Sequence, residues 1–101
     1  MSTIQPGYEI APDGTAYDVV HKADAPVVVL IHGLGLCRHM WRDHIADFAS
    51  YYTVVSYDLL GHGDSAAPTA PTDLSLYAKQ LRSLLDHLQI DKAALVGFSI
   101  G

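Results

Sequence analysis

Cysteine is nearly missing from this chain: Cys37 is the only one, so no internal disulfide can form. Basic residues are scarce as well. Six Lys and Arg stand against eleven Asp and Glu, a formal net charge of -5, and they form no cluster, which argues against electrostatic capture of nucleic acid or anionic lipid. Long apolar runs are absent too. The longest, Pro26 to Ile31, is far too short to cross a bilayer, and the start "MSTIQPGYEI" has neither the basic residues nor the apolar core of a signal peptide. These absences point to a reducing cytoplasm and to a small, neutral or apolar ligand, with no nucleic-acid and no membrane partner. No repeat or low-complexity tract interrupts the chain.

What is present is enough apolar material for a core. Half of the 101 residues are hydrophobic, far above the range of disordered segments. "YEI", "APDG" and "TAYDVVH" read as two strands around a Pro-Asp-Gly turn. "VVVLI" at residues 27–31 is β-branched and lacks alternation, as expected of a strand covered on both faces, and "YTVVSYD" and "AALVGF" read the same way. Between the first two, Trp41, Ile45, Phe48 and Tyr52 fall at i, i+4, i+7 and i+11, which predicts a helix of about three turns. Between the second and third, Tyr77, Leu81, Leu84, Leu85 and Leu88 form the stripe of another helix opposite Lys79, Arg82 and Asp86, with Ser75 as its expected cap. Strand, helix, strand, helix, strand means an α/β unit with right-handed crossovers and a parallel sheet.

Ligands of such sheets bind at the carboxyl ends of the strands, and the three unusual loops, "HGLG", "DLLGHGDS" and "GFSIG", all follow strands directly. They are expected to meet at one edge. In the last, Gly97 and Gly101 flank Ser99 at the two places where a sharp strand-to-helix turn leaves no room for a Cβ. The turn would put Ser99 near a helix N-terminus, with the Ile100 N–H as a donor to a developing oxyanion. The glycines around Leu34 make its N–H the second donor. An ordinary serine loop and a phosphate-cradling loop are the alternatives, but the chain has no G-x-G-x-x-G and no G-K-[ST]. Ser65 lacks an elbow around it. His62 has no His or Cys at ligand spacing, so no metal is assigned, and Asp58 is expected to accept backbone hydrogen bonds in its own loop. His32 and His62 are each expected to brace their own glycine turn. Leu34, Leu36, Cys37, Trp41 and Phe98 are the candidate apolar pocket wall.

"VVLIHGLG", "VVSYDLLGHGDS" and "ALVGFSIG", in this order and at these separations, resemble the third strand with its oxyanion loop, the fourth strand with its turn, and the fifth strand with the nucleophile elbow of the α/β-hydrolase family. The resemblance runs from about Gly7 to Gly101 and is nearest to serine esterases and lactonases of the 3-oxoadipate enol-lactonase type. It implies that residues 1–101 are the N-terminal part of one α/β-hydrolase domain, five strands and two helices in a mostly parallel sheet. Ser99 is then the nucleophile, Leu34 and Ile100 the oxyanion donors, and Leu34 and Phe98 contact an ester or lactone substrate without any cofactor. In this family the triad acid and histidine come after the serine, so they are expected beyond Gly101, in a C-terminal part that completes the sheet; without it the last strand leaves an apolar edge open. A serine at the elbow speaks against the dehalogenase and epoxide hydrolase branches, which use an aspartate. Carbon-carbon bond hydrolases, perhydrolases and a non-catalytic receptor on the same fold remain alternatives.

Overall fold

The Pro-Asp-Gly turn closes as its residues require. In the computed structural model, which describes residues 8–98, strands β1 (Glu9–Ile10) and β2 (Ala16–Val20) pair antiparallel with Ile10 opposite Ala16. Gly14 sits at φ +92°, its N–H donates to the Ala11 carbonyl at 2.8 Å, and the Asp13 carboxylate accepts the Thr15 N–H at 3.0 Å. A Cβ at Gly14 would lie 2.5 Å from that of Ala66, whose N–H donates to the Gly14 carbonyl. Glycine is needed there both for its φ and for that close approach.

Three runs without polar-apolar alternation form the rest of the sheet: β3 (Val27–Ile31), β4 (Thr53–Tyr57) and β5 (Ala94–Gly97). The order is β1-β2-β4-β3-β5, antiparallel at β1, β2 and β4 and parallel across β4, β3 and β5. β3 therefore lies between β4 and β5. Ile31 pairs with Tyr57 on one side and with Gly97 on the other, so the three parallel strands end at one level. Alternate side chains feed two cores. Val29, Ile31, Val55 and Tyr57 pack with Leu84 on one face, while Val28, Leu30 and Val54 pack with Trp41 on the other. Each fully buried Val, Leu or Ile contributes about 1.5–3 kcal/mol. β5 departs from the expected burial: Ala94 and Leu95 are exposed, because among the described residues β5 has a neighbour strand on one side only.

The two helical segments differ from expectation in detail. Trp41, Ile45, Phe48 and Tyr52 do share one packed face, but on a 3-10 turn (Arg38–Trp41) followed by a short helix, α1 (Ile45–Ala49), not on one continuous helix. The N–H groups of Met40, Arg42 and His44 all bond three residues back, the tighter 3-10 pattern. At the start of this segment the Arg38 N–H, which has no partner within the turn, donates to the Asp58 carboxylate at 2.7 Å. The second helix, α2 (Leu74–His87), presents Tyr77, Leu81, Leu84, Leu85 and Leu88 to the sheet as its stripe requires. Its cap is Asp73, not Ser75. Extended backbone at Asp73 lets the carboxylate reach the Leu76 N–H at 3.0 Å, and Ser75 already lies inside the first turn.

Candidate active site

The loops after β3 and β4 leave the sheet at the level where β5 ends at Gly97, and the hydrogen bonds of His32 and His62 join them to each other. Gly33-Leu34-Gly35-Leu36 forms a β-turn in which the Leu36 N–H donates to the Gly33 carbonyl at 3.1 Å and Gly35, the third residue, takes φ +83°. A positive φ at that place is the mark of a type II turn, and glycine is the residue that tolerates it. Leu34 is 52% exposed and its N–H has no acceptor among the described residues. Across from it the Phe98 N–H donates to the Ile31 carbonyl at 3.1 Å, carrying the β3–β5 ladder one step past Gly97 and leaving the Phe98 ring half exposed. Ser99 and Ile100, the expected nucleophile and oxyanion donor, lie outside the described residues. Leu36 is also exposed at this end, whereas Trp41 belongs to the core beneath it.

The two histidines brace more than their own turns. His32 is fully buried; its Nε2 accepts the Leu59 N–H at 2.9 Å, which places the ring proton on Nδ1, 2.7 Å from the Gly33 carbonyl. His62 mirrors this: its Nε2 accepts the Gly35 N–H at 3.0 Å and its Nδ1 donates to the Leu60 carbonyl at 3.1 Å. Each ring holds its own loop by a donor and the neighbouring loop by an acceptor. The rings are 5.1 Å apart. With both hydrogen-bonding nitrogens of both rings used in this way, neither is free to act as a general base toward the β5 end.

Burial pushes the His32 imidazole below the usual histidine value of 6.5; the Gly33 carbonyl and Asp58 favour the charged form and His62 opposes it. The folded state therefore binds the neutral ring. Stability from His32 is intact above the unfolded value near 6.5 and is lost as pH falls below it toward the depressed folded value, because the unfolded chain then takes up the proton more readily. Urea midpoints measured from pH 7.5 down to pH 5 should fall, and His32→Gln should flatten part of that fall. An unchanged slope in the variant would show that His32 does not contribute.

Asp58, at the end of β4, accepts the Asp64 N–H at 2.9 Å, as expected, and also the Arg38 N–H at 2.7 Å. Its other partner was not legible from its own loop: the buried Arg38 guanidinium, 2.5 Å away. Arg38 also pairs with Asp18 on β2 at 2.7 Å and with Asp64 at 3.0 Å, and its guanidinium carbon lies 4.8 Å from the centre of the Tyr8 ring. Burial works against its charge, but the carboxylates of Asp18, Asp64 and Asp58 outweigh burial and push its pKa above the ordinary arginine value. Buried Gln80 on α2 is a second unforeseen member: its amide donates to the Thr15 hydroxyl at 3.0 Å and to the Asp58 carbonyl at 2.9 Å, and accepts the Leu60 N–H at 3.0 Å. Ser65 is occupied in the same web, accepting the Ala16 N–H at 2.9 Å and donating to the Asp58 carbonyl at 2.6 Å. Its hydroxyl is structural. Among the described residues no group of three or more His, Cys, Asp or Glu is arranged to hold a metal ion, and no helix is long and apolar enough to cross a membrane.

This geometry has relatives. A 3-oxoadipate enol-lactonase of Acinetobacter baylyi is 38% identical over 85 residues, which span 84% of this chain and 32% of the relative. The crystal structure of an enol-lactonase from Burkholderia xenovorans superposes with a TM-score of 0.82 at 31% identity, over 92% of this chain and 37% of that one. A haloalkane dehalogenase loop variant from Bradyrhizobium elkanii superposes with a TM-score of 0.80, also at 31% identity, over 86% of this chain and 29% of that one. The chain thus spans about a third of the length of these relatives. The family model of the alpha/beta hydrolase fold matches residues 26–101, from the start of β3 through the serine turn, and the chain belongs to that family.

Proposed function

We propose that this chain supplies the nucleophile half of a hydrolase that cleaves carboxylic esters or lactones through a serine acyl-enzyme. The carrying observation is the common level at which β3 and β5 end: it sets the Gly33–Leu36 turn, whose Leu34 N–H has no acceptor among the described residues, beside the end of β5 at Gly97 and Phe98, the two residues that precede Ser99 in the sequence. The Ser99 oxygen attacks the acyl carbon while its proton passes to a histidine, and the negative carbonyl oxygen is held by the N–H groups of Leu34 and Ile100. Collapse of this adduct expels the alcohol or enol oxygen, which takes up the proton. Water then attacks the acyl carbon and releases the acid. The histidine and its carboxylate partner come from residues beyond Gly101, since the described histidines at this end are committed to loop carbonyls and N–H groups.

A haloalkane dehalogenase variant shares this part of the scaffold, so the reading toward acyl chemistry rests on the serine at residue 99. The enol-lactonase relatives favour a small lactone or ester over other acyl substrates, and exposed Leu34 and Phe98 offer the substrate apolar contact. A fluorophosphonate should add covalently to Ser99 in the complete protein, seen as one modified peptide by mass spectrometry. Absence of labelling, with a small ester still bound, would instead identify a non-catalytic receptor.

A further inference from the structure

The Gly33–Leu36 turn carries a weakness that its own sequence does not remedy. Type I and type II turns differ by reversal of the peptide between the second and third residues, and glycine at the third makes both accessible. Here that peptide joins Leu34 to Gly35, and its N–H is the group that His62 accepts at 3.0 Å. Reversal would replace this donor by the Leu34 carbonyl oxygen, which would face the Nε2 lone pair. The ring has no free donor to offer that oxygen, because its Nδ1 proton is held on the Leu60 carbonyl of the other loop. The hydrogen bond from the neighbouring loop therefore favours the type II form of the turn over the type I form.

We propose that His62 is a positioning residue for the reaction: by accepting the Gly35 N–H it ties the Gly33–Leu36 turn to the loop after β4, and so holds the Leu34 N–H, on the preceding peptide, in place for the oxyanion. The assignment rests on the hydrolase reading above. It gives a function to the histidine of "GHG" that does not involve proton transfer. It also explains why a partly exposed loop residue spends both ring nitrogens on main-chain groups of two different loops. His32 acts on the adjacent peptide, through the Gly33 carbonyl, so the two rings grip the main chain on both sides of Leu34.

His62→Leu keeps the bulk and removes the acceptor, whereas His62→Gln can return an acceptor oxygen to the place of Nε2. In the complete protein the leucine variant should lose about tenfold in kcat for a small ester with KM changed less than about twofold, the size expected when one net hydrogen bond governs the competent population. The glutamine variant should recover most of the loss, although both variants lower the melting temperature by similar amounts. A trans-hydrogen-bond 15N–15N coupling between Gly35 N and His62 Nε2 should be present in the parent. Its absence would overturn the lock itself. Unchanged kcat in His62→Leu, or equal losses in both variants that track melting temperature, would overturn the positioning role while Ser99 labelling leaves the hydrolase reading standing. Failure of Ser99 to label would bring down that reading and the oxyanion role together.

Discussion

Ser99→Ala should lower ester turnover in the complete protein by about 10^4–10^6-fold, to the residual rate that oxyanion donors and binding supply without a nucleophile. Among the described residues the rival hydroxyl, that of Ser65, cannot take over. Ser65 is the nearest rival in sequence context, but its oxygen already accepts the Ala16 N–H and its proton is given to the Asp58 carbonyl. Ser65→Ala should therefore keep turnover near the parent rate while costing about 1–2 kcal/mol of stability through the two lost bonds. Steady-state rates on a chromogenic short-chain ester, with urea midpoints for both variants, separate the two serines. Turnover by Ser99→Ala within tenfold of the parent would remove Ser99 from the chemistry, and a catalytic collapse in Ser65→Ala would move the nucleophile to the β4 loop.

The strands were readable because their message is redundant. "VVVLI" and "TVVSY", rich in β-branched residues and without a polar face, are buried on both faces, and the Pro-Asp-Gly turn closes as a hairpin. The common level at which β3, β4 and β5 end, and the meeting of the loops after β3 and β4, follow from strand direction alone. Other features depend on partners far away in sequence, and single-residue patterns do not carry those. Arg38 looks like an ordinary surface charge beside His39, and only folding reveals that Asp18 and Asp58, each 20 residues away, and Asp64, 26 away, close around it. The break in the first helix was not legible because its apolar spacing does not discriminate: it fits a 3-10 turn plus a short helix as well as one long helix. The Ser75 expectation failed on a two-residue boundary, since Asp73 is as good a cap and stands where the chain is still extended. His62 was recognised as a brace but assigned to its own turn, because its second partner, Gly35, belongs to another loop.

Arg38→Met should be the most damaging single change away from Ser99, costing about 3–5 kcal/mol in urea denaturation, the range for stranding one partner of a buried ion pair. Exposure decides which pairing matters. The Asp58 side chain is 0% exposed and that of Arg38 4%, whereas Asp18 and Asp64 are 40% and 41% exposed. Asp18→Asn or Asp64→Asn should accordingly cost about 0–1 kcal/mol, as for solvent-screened pairs. Methionine matches the length of the arginine stem but leaves the Asp58 carboxylate with only the N–H groups of Arg38 and Asp64 as donors. The loop also closes tightly over that carboxylate: Gly63 is at φ +49°, and a Cβ there would collide with it. The charge consequently has little space in which to be rehydrated. Adding Asp58→Asn to Arg38→Met removes the stranded charge while keeping an acceptor for the two N–H groups, so the double variant should be more stable than Arg38→Met alone. If it is instead less stable by the full cost of Asp58→Asn, the two side chains act independently and the ion pair is not what holds the β3 and β4 loops together. If the double variant regains stability but not esterase activity, the pair also sets the placement of the loop that carries Leu34, four residues before Arg38 in the chain.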